Sequence, residues 1–507
     1  MTLPHRRDDE PASGFRLDRG RLLDLADAAL DAARIAGASY ADLRIGETRR
    51  QHIRAREGRL DDFYESSAPG FGLRVLVDGC WGFYGARALD AATLADAVES
   101  AVAQARAVAP IQPRRIEIEE TRPQVADWIM PMAVDPFEVA AREKVDLLLA
   151  VNGAARAAGA DFCVSSLSFA AEERLFADSR GSRILQSRTR TAPSFDVTVL
   201  DKSGSGRYAT RQSLAPARAA GWEHVLACDL ASEAARAANE AREKLHARPV
   251  EGGVMDVVID PTNLWLTIHE TVGHSTELDR VLGWEANFAG TSFVKPHMQG
   301  NLRFGSELMT ITADRSQEGG LASIAYDDDG APRERAEFEI VSEGVFRNFQ
   351  MALGQAHLIG AARSNGCAYA DDATAFPIQR MPNISLAPNP AACALEALIG
   401  GVEKGLYVVG AGSWSIDQQR DNFQFGGQLF YEIRDGRLGG MVRDAAYQGR
   451  TIPFWNSLDG LGDASTYRLC GTFTCGKAEP MQLAPVSHGA PAARFRGLNV
   501  LCTERAV

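Results

Sequence analysis

A chain of 507 residues with 45% hydrophobic content is longer than one compact core usually holds, so two domains of similar size are expected. Its formal net charge of -12 supplies no sequence-wide cationic field for a phosphate backbone, which argues against nucleic acid as a partner. Charges and glycines interrupt every apolar run and MTLPHRRDDEPASGF lacks a signal-peptide core, so residues 1–19 read as a disordered lead-in and the chain as cytoplasmic, with no membrane contact.

Residues 21–36 carry apolar side chains at helical spacing and stop at Gly37, a C-terminal cap, so a helix opens the fold. From Tyr40 to about Ala86 the pattern alternates, with turn signals at Glu57-Gly58 and Asp78-Gly79, predicting a meander of short antiparallel strands. Helices are expected near 90–108 and 137–158, on either side of a proline-bearing connector. Residues 162–213 alternate again around a turn at Asp178–Gly181, and the alanine-rich stretch 229–247 is a helix by propensity. Arg248-Pro249 and Gly252-Gly253 then mark a boundary between an N-terminal domain, 20–249, and a C-terminal domain, 250–507. The second half is strand-rich, with turns at Asp329-Gly330, Glu343-Gly344 and Asp435-Gly436. The expected fold class is α+β: N-terminal helices beside antiparallel sheet, then a C-terminal domain with a large curled, barrel-like antiparallel sheet and a metal-binding helix.

That helix follows VMDVVI, a buried strand, with Asp260 as N-cap and Pro261 at the first helical position. It carries HETVGH, His269 to His274. Two neutral imidazoles and a carboxylate are what a hydrolytic zinc site needs: His269 and His274 as ligands, Glu270 as general base toward water. Five residues at 100° each, however, separate the histidines by about 140° on a regular helix. The spacing therefore predicts a bulge, with Gly273 as the residue that lets the backbone relax. Read blandly, Glu270 and His274 are i, i+4 and form a surface pair.

A catalytic zinc needs a third protein ligand, and the residues just downstream offer only Glu277 and Asp279. Cys475, in TCGK, is the better candidate, because glycine permits close approach and Lys477 favours the thiolate; taken alone, it reads as an ordinary buried cysteine. The eight cysteines lack the density of a disulfide scaffold, and Cys470 is the one close neighbour of Cys475. His488 is weighed as an oxyanion donor against a solvated loop histidine, the latter preferred. VVGAGS at 408–413 lacks the third glycine of a dinucleotide fingerprint, and Asp327, Asp328 and Asp329 read as a turn rather than a calcium loop.

HETVGH followed by STELD, with the late TCGK, resembles the TldD/PmbA family of metallopeptidases. So do YADLRIGETRRQHIRAREGRLDDF with GFGLRVLVDGCWGFYGA in the first half, and YDDDGAPRERAEFEIVSEGVFRNF, MPNISLAP, EKGLYVVG and DNFQFGGQLFYEIRDGRL in the second. The resemblance covers about residues 20–503. It implies His269, His274 and Cys475 as ligands of one Zn2+ per active chain, Glu270 as base, and Cys470 unassigned. It also implies unfolded or precursor peptides as substrates, bound along a groove of sheet edges, and a dimer, with a second copy or with a PmbA-like chain lacking the motif. Ser275 stands where the family's glycine is expected. The rival readings are a non-catalytic peptide-binding subunit of a protease complex and a metal-dependent hydrolase of a non-peptide amide.

Overall fold

The computed structural model describes residues 16–504, so most of the expected lead-in, residues 1–15, lies outside the described residues. The first half is one sheet of seven strands: β1 Tyr40–Arg56, β2 Arg59–Val77, β3 Cys80–Ala86, β4 Val125–Ile129, β5 Phe162–Asp178, β6 Arg183–Leu200 and β7 Tyr208–Gln212. Its order is β3-β2-β1-β5-β6-β4, with β7 also on β6. The two alternating regions of sequence meet where β1 and β5 pair antiparallel from Asp42–Asp178 to Arg56–Val164.

β1 and β2 span 17 and 19 residues, where short strands were expected. The length follows from what β1 covers. Leu43 and Ile45 pack under helices α1 (Arg19–Ile35) and α2 (Ala91–Val108), while Ile53 and Ala55 lie under α3 (Ala141–Ala157) and α4 (Leu230–His246). All four residues share one parity, so a single strand face serves both helix pairs. Asp18 and Asp90 accept from Arg21 and Thr93 as the caps of α1 and α2. Two elements fall in stretches given no structure from sequence: β4, parallel to β6 within the connector, and a short helix at Trp222–Ala227.

The even-numbered face of β1 is polar yet buried at Asp42, Arg44 and Thr48, and there it meets the second half of the chain. Arg74 on β2 bridges Asp42 and Asp329 at 2.7 and 2.6 Å, and Arg174 on β5 holds Asp328 at 2.6 Å. Asp327 accepts the backbone N–H groups of Asp329, Ala331 and Ala368. The turn expected at these three aspartates is present, and it docks the two halves together.

The second half closes a five-stranded barrel from β8 (Gly253–Ile259), β9 (Lys404–Ile416), β10 (Asn422–Arg434), β11 (Ala445–Arg450) and, last in the chain, a strand at Ala493–Cys502. Its pairings are antiparallel except β8 with β9, which run parallel. VVGAGS therefore lies within a barrel strand. Between β11 and the last strand, a hairpin of β12 (Arg468–Lys477) and β13 (Gln482–Ala490) forms a separate two-stranded sheet; the strand Ala493–Cys502 is then β14. Helix α5, Pro261–Ile268, follows β8 and is tied to the barrel by polar groups. Asn263 Nδ2 donates to the carbonyls of Gly410 and Gly426, 2.9 Å each, and Tyr447 OH donates to Asn263 Oδ1 at 2.8 Å. Within α5 and through Val281, only Thr262 and Trp265 are less than fully buried.

Among the described residues no helix is long and apolar enough to cross a membrane.

Candidate metal centre

Asp260 Oδ1 accepts the Thr262 N–H at 2.9 Å and Pro261 occupies the first turn, so α5 starts as its sequence dictates. It then changes pitch. Residues His269–Gly273 form a π turn, closed by the His274 N–H donating to the His269 carbonyl five residues back, and a 3-10 turn over His274–Thr276 follows. That closure brings the two histidine rings together edge to face, with centroids 4.6 Å apart and planes at 75°, where an unbroken α-helix would splay them. The predicted bulge at Gly273 is this π turn.

Neighbouring groups complete the turn's hydrogen bonds. Ser275 Oγ donates to the Thr271 carbonyl (2.6 Å), Thr276 Oγ1 to Val272 (2.8 Å) and Gln350 Nε2 to Gly273 (2.6 Å). Ser275, the departure noted in sequence, thus works in the turn itself. Gly273 also leaves room for Met381: a Cβ there would meet Met381 Sδ at 2.5 Å, so the end of that side chain would have to shift.

The structure brings His269, His274 and Cys475 together: one donor atom from each lies within 4.8 Å of the others, and all three residues are buried. Cys475 Sγ is 3.7 Å from His274 Nε2, close to the spacing of about 3.6 Å that a nitrogen and a sulfur adopt around tetrahedral zinc. Hydrogen bonds decide which ring nitrogens are free. Glu277 Oε2 accepts from His274 Nδ1 at 2.9 Å, leaving the Nε2 lone pair for a metal. His488 Nδ1 lies 3.1 Å from the Ile384 carbonyl, which can only accept, so its Nε2 carries the lone pair. That nitrogen accepts from His269 Nδ1 at 2.7 Å, freeing His269 Nε2. Burial lowers the pKa of His269 and drives those of His274 and His488 further down, so all three imidazoles are neutral near pH 7. Two neutral nitrogens and a sulfur fit zinc.

His488 is therefore neither a solvated loop residue nor free to meet an oxyanion. It is fully buried on β13, opposite Cys470 in the hairpin register, and orients His269. Cys470 contributes no atom to the donor group.

The thiolate argument from Lys477 also changes. Lys477 Nζ is bound by Asp279 and the Gln379 carbonyl, both at 2.8 Å, and lies 3.2 Å from Glu277. Burial pushes the Cys475 thiol up, and the strongest opposing charge is Arg380, which donates to the Cys475 carbonyl at 2.5 Å. Glu277 behaves oppositely: burial would raise its carboxyl, but Lys477, His274 and Arg280 outweigh this and hold it well below the usual range.

Glu270 is 3% exposed, and its Oε2 pairs with Arg420 Nη1 at 2.5 Å. A surface pair with His274 is ruled out, since both residues are buried and each has another partner. Arg420, Arg380 and the orienting roles of Glu277 and His488 were missed in sequence. For Arg420 and Arg380 no local signal existed, whereas a histidine 13 residues after the candidate cysteine was at least a hint.

Two neutral histidines from a π-kinked helix and a cysteine from the β12–β13 hairpin thus form, beside a paired glutamate, a donor set of the composition that suits a metal ion. Three family models match the chain: PmbA/TldA metallopeptidase domain 1 over residues 41–109, the central domain over 134–245 and the C-terminal domain over 252–501. The chain belongs to the PmbA/TldD metallopeptidase family.

A metalloprotease of Methanothermobacter thermautotrophicus is 29% identical, over 91% of this chain and 95% of its own length. One of Methanocaldococcus jannaschii is 25% identical, over 90% and 95%. A protein of Saccharolobus solfataricus named as a zinc metalloprotease TldD homologue is 24% identical over 49% of this chain and 52% of its own length. Crystal structures share the fold: a Thermotoga maritima protein at TM-score 0.73 (16% identity; 95% of this chain, 100% of that one), and TldE from Thermococcus kodakarensis at 0.70 (15% identity; 94% and 99%).

Proposed function

We propose that this chain is a zinc-dependent peptidase that hydrolyses unfolded or precursor peptides, with His269, His274 and Cys475 as ligands of one Zn2+ and Glu270 as general base. The observation that carries the reading is the donor set: three metal-competent atoms within 4.8 Å, on residues next to a buried carboxylate. The relatives named as metalloproteases support it. Zinc, when bound, supplies polarisation of the scissile carbonyl and acidification of water. Glu270 accepts the proton of the attacking water and returns it to the departing amine. Glu277 and His488 keep the two imidazoles presenting Nε2 throughout.

Substrate is engaged in extended form, through main-chain hydrogen bonds to sheet edges, so sequence tolerance is broad. The working unit is a dimer, with a second copy or a related chain lacking the motif, and it acts in the cytoplasm, consistent with eight unpaired cysteines.

Elemental analysis and peptide digestion test the core of this reading together. Glu270→Gln is expected to keep full zinc and to lose roughly 10²- to 10⁴-fold in kcat. Cys475→Ser is expected to lose zinc. Native-rate cleavage by the first variant, or native zinc in the second, removes the corresponding assignment.

A further inference from the structure

Arg420 is the group paired with the general base to which the mechanism above gives no role. It sits in the turn between β9 and β10, in the left-handed region at φ 65°, which side chains other than glycine rarely adopt. The surroundings hold it there. The Arg420 N–H donates to the Asp417 carbonyl at 3.0 Å, the Asp417 carboxylate accepts from the N–H groups of Asp421 (2.9 Å) and Asn422 (3.1 Å), and Thr451 Oγ1 donates to the Arg420 carbonyl at 2.7 Å. Asp421 is in turn paired with Arg450 at 2.7 Å. A strained backbone fixed by this many contacts marks a side chain that must point one way.

That way is toward Glu270. Nη1 meets Glu270 Oε2 at 2.5 Å, Nη2 donates to the Ala289 carbonyl at 3.3 Å, and Nε is buried with no acceptor. Glu270 directly follows the candidate ligand His269, so the guanidinium paired with it lies beside the donor set. Two buried arginines closer to the donor set, Arg280 and Arg380, are held by Glu277 and by the Cys475 carbonyl.

We propose that Arg420 is a catalytic residue that stabilises the oxyanion formed at the scissile carbonyl. The inference rests on the peptidase reading and follows from where charge moves. Before reaction Arg420 and Glu270 form a neutral pair. As the water oxygen bonds to the carbonyl carbon, the carbonyl π pair moves onto oxygen and the water proton passes to Glu270. Negative charge has then left Glu270 for the carbonyl oxygen, and Arg420, already desolvated and fixed, remains as counter-charge with a free Nε–H. When the C–N bond breaks, the electron pair returns, Glu270 gives its proton to the amine, and Arg420 has kept all of its own. An attraction realised chiefly in the transition state raises kcat rather than lowering KM.

The test uses the full-length, zinc-loaded protein with Arg420→Ala and Arg420→Lys, reading zinc per chain, kcat and KM separately, and the Kd of a phosphinic peptide whose tetrahedral anionic centre mimics the intermediate. Arg420→Ala is expected to keep its zinc and its KM to within about threefold, and to lose roughly 10²- to 10³-fold in kcat, with phosphinate affinity falling in parallel. Arg420→Lys, a point charge without the planar fork, is expected to lose about tenfold. If the alanine variant does not fold, the lysine variant decides. Unchanged kcat and phosphinate affinity in the folded variants, or a change in KM alone, overturns the proposal. Wild-type protein that holds zinc but neither cleaves peptides nor binds the phosphinate removes the peptidase reading instead.

Discussion

At the scale of single residues, His488 and Glu277 matter as much as the ligands they touch, because a ring nitrogen is a donor or an acceptor according to what its other nitrogen meets. His269 presents the Nε2 lone pair to the donor set because its one N–H proton, on Nδ1, is donated to His488 Nε2 at 2.7 Å. His488→Phe is therefore expected to weaken zinc binding roughly 10- to 100-fold with little change in fold, measured by chelator competition. Unaltered affinity would show that His269 needs no orienting partner. The protonation states make a second prediction. Both histidine ligands are neutral near pH 7 and the Cys475 thiol is raised by burial, so the metal-free site holds one exchangeable proton, on sulfur. Zinc uptake should release about one proton per chain, and affinity should fall about tenfold for each pH unit lowered, since the proton competes with the metal for the thiolate. Calorimetry in buffers of different ionisation enthalpy counts that proton; zero or two would mean the states are assigned wrongly.

At the scale of elements, the π turn is what makes an H-E-x-x-x-H spacing usable, and Gly273 is its weak point. A methyl group there meets Met381 Sδ at 2.5 Å and Cε at 3.1 Å. Gly273→Ala should cost about 1–3 kcal/mol and reduce zinc occupancy, because relief requires the turn or Met381 to move. Adding Met381→Ala should restore part of both, measured by thermal unfolding and metal analysis; equal defects in the single and double variants would place the strain elsewhere. The need for a distortion was legible in the sequence, since 100° per residue is a property of the backbone alone. Its form was not: the hydrogen bonds that complete the turn include one from Gln350, which lies 77 residues from Gly273.

At the scale of the whole molecule, the site depends on two halves joined through buried charge. Arg174 and Asp328 pair at 2.6 Å with side chains 7% and 5% exposed. Asp328→Ala leaves a desolvated guanidinium with only the more distant Glu172, at 3.9 Å, and should destabilise the protein by about 3–5 kcal/mol, while the double change Arg174→Met with Asp328→Leu should cost much less. Denaturant unfolding separates the two outcomes, and similar losses for both would make the contact one of packing rather than charge.

What the sequence determined by itself was local or periodic. It set the end of the first helix at Gly37 and the start of the metal helix at Asp260, the turns at Glu57-Gly58 and Asp78-Gly79, the strand-rich second half and the kinked HETVGH helix. Each follows from backbone geometry and side chains a few residues apart. Cys475 was favoured over Glu277 and Asp279 for its TCGK setting and then implied by resemblance, because its own strand alone does not separate a ligand from a buried thiol. Only the tertiary structure decided that β1 would run long under two helix pairs, that Asp328 and Asp329 would face arginines, and that His488 and Arg420 would complete the centre. These contacts span 150 to 255 residues of chain. A buried polar group takes whatever partner chain closure brings within about 3 Å, and that choice is written in topology rather than in spacing.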